Sequence, residues 1–534
     1  MILSILLAAS LPFHAPMIAR PTLAWDRASV EAERPAKKTG PKKKVIAQQS
    51  RAKSVKLAAP KSPSVASTNA AAGAIHWTAP TARIELADDL SSMIGRAKTG
   101  KWGVLVVSLS NGDTLFGRNP DEQLLPASTM KLFTSSLALD RFGADGKFST
   151  TVLRTGQLAA DGTLHGDLML RGAGDPTLAG KAAELGAEPP MEALARQIAA
   201  TGIRRVTGSV VGDASAFLDG HVPEGWRTRY LQASYAARVS ALSFNENKIT
   251  IVVRPNGGHA ELSFLPAVSG VPVENAVKIT PSSTGGRIGV RQDSAGRLVV
   301  SGWIGSQSGQ RDYQVMVEGP ELFAAGALRA ALIAQGVTVD GQVRIGRTPL
   351  DAVSVATFDS PPLQKIVTQM NGESNNHFAE LLFRDAAQSV GTPGSAENGN
   401  ILLRRFLYEK ADVAPTAVFA ADGSGLSTLD RVTPRAMVQL LGYVRKAPWG
   451  SVLEQSLPVA GQTETLKHRM RHTPAMGNLH AKTGTTNDVN SLGGYVTAKN
   501  GEQLVFAFIY NGKDHWRAKE AMDAMGATLA SFSR

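Results

Sequence analysis

PASTMKLFTSSLALDRFG, residues 126–143, places a serine and a lysine three positions apart at the start of a predicted helix. Residues three apart share one face of a helix, so Ser128 and Lys131 are expected to point the same way. A serine hydroxyl is a poor nucleophile until a nearby base takes its proton, and a lysine amine can do so when its pKa falls toward neutrality. The stretch therefore predicts an active serine at a helix N-terminus, where the helix dipole favours developing negative charge.

A second motif, Ser374-Asn-Asn376, opens a stretch that reads as a helix, NNHFAELLFRDAAQ. In an acyl-transfer reaction, Ser374 is expected to pass a proton to the leaving amine and the Asn376 amide to hold the substrate backbone. A serine here would by itself be interpreted as a helix cap. Its place between the other two motifs favours the catalytic interpretation.

The third motif, Lys482-Thr-Gly484, ends the predicted strand NLHAKTG. Lys482, Thr483 and Thr485 are expected to bind a terminal carboxylate of the substrate, and Gly484 belongs to the same shelf. Burial and a neighbouring cation both lower the pKa of a lysine, and Lys482 would be that cation for Lys131. The backbone N–H of Thr485, together with that of the nucleophile, would form an oxyanion hole.

The order of the motifs matters because each triplet also occurs elsewhere in the chain. Further K-T-G, S-x-x-K or S-x-N triplets begin at Lys38, Ser50, Ser67, Lys98 and Ser243. The first three lie in a stretch too polar and repetitive to hold a fixed geometry. Lys98 precedes every candidate nucleophile, and Ser243 leads into a predicted strand rather than a helix. The chain has no G-x-S-x-G elbow, so no histidine triad competes.

The net charge of +12 suggests nucleic-acid binding, but its location argues against it. Twelve Lys/Arg and three Asp/Glu lie in residues 1–80, which leaves a net charge of only +3 for residues 81–534. The basicity belongs to a tail, and no nucleic-acid partner is expected. The absence of cysteine excludes disulfides, cysteine nucleophiles and thiolate metal sites, and we expect neither a metal nor a cofactor.

The first 80 residues are expected to export and tether the protein. MILSILLAASL is too short to span a bilayer of about 30 Å and suits a secretory signal peptide over residues 1–19, with an uncleaved anchor as the alternative. Residues 20–80 are rich in Ala, Lys, Pro and Ser and predict a flexible basic tether. Electrostatic attachment to an anionic membrane or wall polymer is the alternative for this segment.

A gap of 242 residues separates the first motif from the second, which is more than a compact active-serine domain needs. Residues 151–345 read mostly as strands and turns, with runs such as ITIVV and LVVSGWI. We therefore predict a discontinuous catalytic domain over residues 81–150 and 346–534. The β-rich segment between them is predicted to form inserted domains, two nested ones being favoured.

The motifs resemble one family closely, the D-alanyl-D-alanine carboxypeptidase/endopeptidases of class C, the penicillin-binding protein 4 type. Further matching stretches are GAGDPTL (172–178), ALSFNEN (241–247), SNNHFAELLFR (374–384), DGSGLS (422–427), SLPVAG (456–461) and AKTGT (481–485). The resemblance covers residues 85–534. It implies an α+β (mixed α/β) fold. A β-lactamase/DD-peptidase-like domain would have a five-stranded antiparallel sheet flanked by helices, interrupted by nested β-rich domains.

The resemblance also implies a periplasmic serine carboxypeptidase/endopeptidase that acts on D-Ala-D-Ala ends and cross-links of peptidoglycan and is covalently inhibited by β-lactams. It places Asp175 at the free amino end of the diaminopimelate side chain, with a turn-forming aspartate before Pro176 as the alternative. It assigns three residues of DGSGLS to the substrate cleft: Asp422, Ser424 and Leu426. Thr428 stands where many relatives have an arginine, which puts a cleft role of that arginine in doubt.

Two other functions are weighed against this one. A β-lactamase would share the fold, but class A enzymes need an E-x-x-L-N motif that this chain lacks, and class C enzymes have Y-x-N in place of Ser374-Asn-Asn376. A non-catalytic wall-binding or β-lactam-sensing protein would use the inserted domains. Such a protein need not keep all three motifs, so the intact set favours catalysis.

Overall fold

The computed structural model describes residues 75–179, 188–218, 220–231, 233–293 and 297–534. The predicted signal peptide (1–19) and nearly all of the predicted tether (20–80) lie outside the described residues, and both stay predictions. The described part combines long helices with several sheets, which confirms the predicted α+β class.

Helices and strands are numbered in chain order. The helices in the described ranges are α1 (Arg83–Ile94), α2 (Met130–Phe142), α3 (Pro190–Ala200), α4 (Pro320–Ala334), α5 (Leu363–Glu373), α6 (Asn376–Gln388), α7 (Ala396–Ala411), α8 (Pro434–Val444), α9 (Gly450–Gln455) and α10 (His515–Ser531). The strands are β1 (Lys101–Ser108), β2 (Thr114–Arg118), β3 (Ser149–Arg154), β4 (Gln157–Leu158), β5 (Thr163–His165), β6 (Leu168–Arg171), β7 (Arg205–Val206), β8 (Val210–Asp213), β9 (Lys248–Asn256), β10 (His259–Leu265), β11 (Val273–Thr280), β12 (Gly286–Gln292), β13 (Leu298–Gly305), β14 (Arg311–Met316), β15 (Thr338–Val339), β16 (Arg344–Ile345), β17 (Val353–Asp359), β18 (Val418–Phe419), β19 (Arg431–Val432), β20 (His480–Thr486), β21 (Val489–Thr497) and β22 (Gln503–Asn511).

A five-stranded sheet joins the two ends of the described chain. Its strand order is β2-β1-β22-β21-β20, and every neighbouring pair is antiparallel. The sheet is the one that the resemblance implies. The strand that carries the K-T-G motif, β20, lies at its edge, so one row of its backbone N–H and C=O groups is left unpaired within the sheet.

Both faces of this sheet are covered, as β22 shows. Phe506 and Phe508 pack into a core shared with α1 and α10. Val505, Ala507 and Ile509 pack into a second core, shared with α2 and α8. Because successive side chains of a strand point to opposite faces, a strand covered on both faces reads as a continuous apolar run, here LVFAFIY.

The segment between α2 and α5 builds separate sheets. Two mixed sheets, β16-β8-β6-β3-β17 and β15-β7-β5-β4, share one hydrophobic core with α3 and α4. Two three-stranded sheets, β10-β9-β14 and β11-β13-β12, share a second, smaller core. The chain leaves the five-stranded mixed sheet after β8 and returns to it with β16. In sequence, the two three-stranded sheets therefore lie between two parts of that mixed sheet.

The C-terminal boundary of the inserted segment differs in the structure from the predicted boundary at 345/346. β17 pairs antiparallel with β3 from Val353↔Arg154 to Asp359↔Ser149, with one register shift between Ser354 and Ala356. Residues 353–359 therefore extend the sheet of the inserted segment rather than the catalytic sheet. Pairing between strands so far apart in the chain leaves no local signal, so sequence reasoning could not place this edge. The division into domains itself stays a prediction.

None of the helices in the described part of the chain combines the length and the apolar character needed to cross a membrane.

Candidate active site

Ser128 lies in a single 3-10 turn, Ala127–Thr129, which leads directly into α2. The predicted position of Ser128 at a helix N-terminus is thus confirmed. The turn is held from two sides: Thr129 Oγ1 donates to the Pro126 carbonyl (2.7 Å), and the DGSGLS loop packs against the backbone of Ala127. Only a glycine fits there, because a Cβ on Gly425 would lie 1.8 Å from the Ala127 oxygen.

The amine of Lys131 is fully buried and makes three polar contacts. Its Nζ lies 3.0 Å from Ser128 Oγ, 2.6 Å from Asn376 Oδ1 and 2.7 Å from the Ser424 carbonyl oxygen. The last two oxygens can only accept, and the orientation of the Asn376 amide follows from its Nδ2, which donates to the Tyr235 carbonyl (2.9 Å). A neutral amine satisfies both acceptors with its two N–H bonds and leaves its lone pair facing the Ser128 hydroxyl.

Burial lowers the pKa of Lys131 from 10.5 to about 7, while the nearby carboxylates of Asp422, Glu380 and Asp430 oppose the shift. The sequence-based expectation named both burial and the charge of Lys482; burial is confirmed as the main cause, whereas the charge of Lys482 does not contribute. In the structure the effect runs the other way: burial, and then the charge of Lys131, hold the pKa of Lys482 well below its usual value. Desolvation acts on both amines because both side chains are fully buried.

Ser374 lies between α5 and α6 in the left-handed region, with φ 60°. The sequence-based expectation that it opens the helix is off by one residue: the cap of α6 is Asn375, whose side chain accepts from the Phe378 N–H (3.2 Å). The Ser374 side chain is therefore not used as a cap. Its Oγ accepts instead from Lys482 Nζ (2.9 Å), which joins the second motif to the third.

The K-T-G strand lies directly against the nucleophile. A Cβ on Gly484 would be 2.2 Å from Ser491 Oγ and 2.9 Å from the backbone nitrogen of Ser128, so this position has room only for glycine. Thr483 is buried and donates from Oγ1 to Thr465 Oγ1 (3.0 Å), whereas Thr485 is exposed at the strand edge. The three motifs, separated by hundreds of residues in sequence, thus converge.

A group of buried charged residues behind Lys131 escaped sequence reasoning. Glu380 and Arg384 of α6 are both fully buried, and they form an ion pair at 2.8 Å. Burial, and then the charge of Asp422, raise the pKa of Glu380 to about 7, and burial with Asp422 raises that of Asp430 well above its usual value. The i,i+4 spacing of Glu380 and Arg384 was the available signal, but the same spacing is common on solvent-exposed helix faces.

Asp422 holds the DGSGLS loop from inside. It is fully buried, and its carboxylate accepts from the backbone N–H groups of Ser424 (3.0 Å), Gly425 (2.6 Å) and Ser427 (2.7 Å). A fourth donor is Nε1 of Trp226 (2.7 Å), from the inserted segment. With its acceptors so occupied, Asp422 orients the Ser424 carbonyl toward Lys131 rather than facing a substrate.

The remaining predicted cleft residues are also buried. Leu426 belongs to a small cluster with Trp226 and Tyr230, between the inserted segment and the DGSGLS loop. Asp175 is 2% exposed, and its Oδ1 accepts from the N–H (2.8 Å) and Oγ1 (2.7 Å) of Thr177, as a turn-forming aspartate does. Burial raises the pKa of Asp175 to about 7. Its role toward a substrate stays a prediction.

Thr428 ties the DGSGLS loop to the inserted segment. Its N–H and Oγ1 both donate to the Gly225 carbonyl, at 3.2 and 3.0 Å. Two residues further on, Arg227 reaches Asp488, beyond the K-T-G strand, at 3.4 Å. The inserted segment therefore touches the site at Asp422, at Asn376 and at the turn after β20.

Comparison with known proteins assigns this site to a family. A model of the D-Ala-D-Ala carboxypeptidase 3 (S13) family matches residues 85–532. The chain belongs to this family. It is a serine-type D-Ala-D-Ala carboxypeptidase, and the predicted family and enzyme class are confirmed.

Two curated relatives and one solved structure agree with this assignment. The D-alanyl-D-alanine carboxypeptidase of Actinomadura sp. (strain R39) is 32% identical over 453 residues, 81% of this chain and 81% of the relative. The D-alanyl-D-alanine carboxypeptidase DacB of Haemophilus influenzae is 26% identical over 417 residues, 77% of this chain and 85% of the relative. The crystal structure of penicillin-binding protein 4 (dacB) from H. influenzae is 24% identical, with a TM-score of 0.69, and the match covers 81% of this chain and 98% of that chain. It shows the same fold. The carboxypeptidase interpretation is thus supported over the β-lactamase and the non-catalytic alternatives.

Proposed function

We propose that Ser128 carries the acyl group in the carboxypeptidase reaction. Its Oγ attacks the carbonyl carbon of the penultimate D-Ala while Lys131 Nζ takes the hydroxyl proton. The N–H groups of Ser128 and Thr485 hold the oxyanion. The C–N bond then breaks, Ser374 passes a proton to the departing amine, and water hydrolyses the ester on Ser128.

The observation that carries this proposal is the contact of Lys131 Nζ with Ser128 Oγ at 3.0 Å within a fully buried environment. A pKa near 7 leaves a large fraction of this amine neutral at neutral pH, which is the state that a general base requires. Aligned hydrogen bonds to two acceptors fix the direction of its lone pair.

Substrate recognition is proposed for the remaining motif residues. Lys482, Thr483 and Thr485, with Gly484 among them, bind the terminal carboxylate. The bound carboxylate favours the charged form of Lys482, whose pKa is low in the free site and whose Nζ lies 2.9 Å from Ser374 Oγ. Asn376 binds the substrate backbone, and in the free enzyme both ends of its amide are held by Lys131 and the Tyr235 carbonyl. The substrate must therefore compete for, or insert beside, these hydrogen bonds.

The proposed substrates are peptidoglycan stem peptides and their cross-links, so endopeptidase activity accompanies the carboxypeptidase activity. β-Lactams are proposed to acylate Ser128, because their strained amide presents the same carbonyl and carboxylate as the peptide. The penicillin-binding protein 4 of H. influenzae has been crystallised in complex with a β-lactam. Asp175, Ser424 and Leu426 are proposed to shape the cleft for the acyl part of the substrate.

We further propose an exported, periplasmic enzyme with a signal peptide over 1–19 and a basic tether over 20–80 that contacts anionic wall or membrane. The catalytic domain comprises residues 81–150 and 346–534 except β17, which extends the inserted sheet, and nested β-rich domains occupy 151–345. The two cores of the inserted segment support the nested arrangement.

Labelled penicillin tests the central proposal. The wild type and Ser91→Ala, which removes an exposed serine of α1, are expected to form a covalent adduct that persists for many minutes, whereas Ser128→Ala forms none. Mass spectrometry of the labelled peptide locates the adduct. An unlabelled wild type would contradict the acyl-enzyme on Ser128, and rapid release of ring-opened product would indicate a β-lactamase.

A further inference from the structure

A polar groove runs along α5 beside the K-T-G strand. It consists of two adjoining cavities of about 510 and 380 Å³, both within the size range of ligand sites, roughly 300–1,000 Å³. The first lies between the end of α5 and residues 462–467, and the second continues along α5 to the end of α9. Gly372, Glu373 and Glu464 line both cavities, so the groove is continuous.

The groove begins at the part of the site where the leaving group departs. Thr465, in its wall, accepts the hydrogen bond of Thr483 from the K-T-G motif. Glu373, at its other wall, directly precedes Ser374, the residue proposed to protonate the leaving amine. A chain that continues past the carboxylate shelf therefore enters this groove.

Only one of the two proposed reactions needs such space. In carboxypeptidase action the leaving group is a single amino acid, whose carboxylate occupies the shelf. In cross-link scission the leaving amine belongs to a second stem peptide, which must extend beyond the shelf. We propose that the groove is the subsite for this second peptide, an inference that rests on the proposed endopeptidase function.

The lining fits a polar, charged peptide rather than an apolar chain or a polyanion. It carries both signs of charge, with Lys365 and Lys467 along it and Glu373 and Glu464 where the cavities join. Gly372 lies close to Glu464 where the two cavities join, and a Cβ at this position would be 3.1 Å from Glu464 Cγ. Because glycine has no Cβ, the passage between the cavities stays open. Stem peptides carry free carboxylates and amides, which such a lining can bind.

Thr368→Trp tests the groove by filling it. Thr368 is an exposed residue of α5 that lines the second cavity, and its hydroxyl donates to the Gln364 carbonyl of its own helix (2.7 Å). Lys410→Trp, on the exposed side of α7 and away from the groove, is the matched control. Each variant is assayed on a purified disaccharide-pentapeptide and on a cross-linked dimer, with products separated by mass.

Thr368→Trp is expected to lower kcat/KM for the dimer about tenfold, while cleavage of the pentapeptide and penicillin acylation stay within twofold of the wild type. Lys410→Trp should leave all three unchanged. Equal loss on both substrates, or no loss on the dimer, would overturn the subsite.

If the wild type leaves the cross-linked dimer intact, the proposed endopeptidase function is refuted. A second measurement then still tests whether the groove binds a peptide. An acyl-enzyme formed from a D-Ala-D-lactate ester can be captured by an amine, which attacks the ester carbonyl and frees the Ser128 hydroxyl. Capture of the acyl-enzyme by an amine is the reverse of the cleavage step, so a stem peptide that acts as the amine should bind in the groove. Free D-alanine is small enough to react without occupying the groove. Thr368→Trp should lose capture by the peptide alone, and equal capture by both enzymes would overturn the inference.

Discussion

Among single residues, Lys131 is the proposed base, and its pKa decides whether it can act at neutral pH. Complete burial favours its neutral form, and the carboxylates of Asp422, Glu380 and Asp430 oppose that effect. The balance leaves its pKa at about 7, where a base combines a usable neutral fraction with proton affinity. The pKa of the proposed base is therefore set by the carboxyl groups behind Lys131 as well as by its burial.

The first prediction concerns this titration. kcat/KM for a D-Ala-D-Ala peptide should rise as the pH rises through about 7, because Lys131 must lose its proton to accept one from Ser128. Lys131→Met keeps the volume but not the base, and penicillin acylation should fall about 10²–10⁴-fold. Stopped-flow acylation rates across the pH range measure both effects.

Lys519→Met, a partly buried lysine of α10 away from the site, is the control and should acylate at the wild-type rate. Thermal unfolding checks that each variant is folded. A pH profile that is flat through neutrality, or undiminished acylation by Lys131→Met, would remove Lys131 as the base.

At the scale of elements, the site depends on how closely β20 approaches the turn that carries Ser128. The strand is at the edge of the sheet. Its start is bridged by residues 458–459, since the Ala481 N–H donates to the Pro458 carbonyl (3.0 Å), whereas no further strand of the described residues pairs with its K-T-G part. A single position, Gly484, sets the distance, because a Cβ there would meet Ser491, Pro126 and the Ser128 nitrogen at less than 3 Å.

The second prediction follows from that approach. Gly484→Ala places a Cβ 2.7 Å from the Pro126 oxygen and 2.9 Å from the Ser128 nitrogen, so β20 must move away from the nucleophile. Acylation should fall about 10²-fold, the cost expected of a misplacement near 1 Å. Gly117→Ala, in the opposite edge strand, meets Leu105 Cδ1 at an ordinary contact distance of 3.7 Å and should retain activity. Wild-type acylation by Gly484→Ala would show that the strand is not held by this contact.

At the scale of the whole molecule, buried carboxyl groups join the inserted segment to the catalytic helices. Asp385 of α6 packs against the Gly174 backbone, where a Cβ would be 1.9 Å from its Oδ1, and neither of its oxygens has a hydrogen-bond partner among the described residues. Burial, and then Asp175, raise the pKa of Asp385 well above its usual value. The carboxyl groups of Asp175 and Asp385 are therefore protonated in the folded chain over a pH range in which the same groups of the unfolded chain are already ionised.

The third prediction is a pH dependence of stability. Since the folded-state pKa lies above the unfolded one, the folded chain binds more protons, and the free energy of unfolding falls as the pH rises from about 4 towards the raised pKa, about 7 for Asp175. Asp385→Asn should remove part of this fall, so that the variant is more stable than the wild type above neutral pH and little changed in acid. Urea unfolding at several pH values measures it.

Asp88→Asn, at an exposed position of α1, is the control and should not become more stabilising as the pH rises. An Asp385→Asn variant whose stability relative to the wild type is constant with pH would contradict the buried, protonated carboxyl.

The sequence located the residues proposed to react better than it located the buried groups around them. Ser128 with Lys131, and Lys482 before its glycine, are local patterns whose chemistry follows from residue type and spacing. Asp430 and Glu380 carry no such pattern, since a carboxylate on a helix or in a loop is usually solvated. Burial was expected to lower the pKa of Lys131, but the charge of Lys482 does not add to it, and the opposing carboxyl groups were not foreseen because they lie far away in sequence.

By itself, the sequence determined the order of the motifs, the apolar strands, the helix that carries the nucleophile and the family. These depend on local periodicity and on side-chain chemistry, which are properties of short stretches. Only the tertiary structure decided which buried groups tune Lys131, how Trp226 of the inserted segment holds Asp422, and where β17 pairs. Those features depend on desolvation and on contacts between residues far apart in the chain, and neither is encoded in any single stretch.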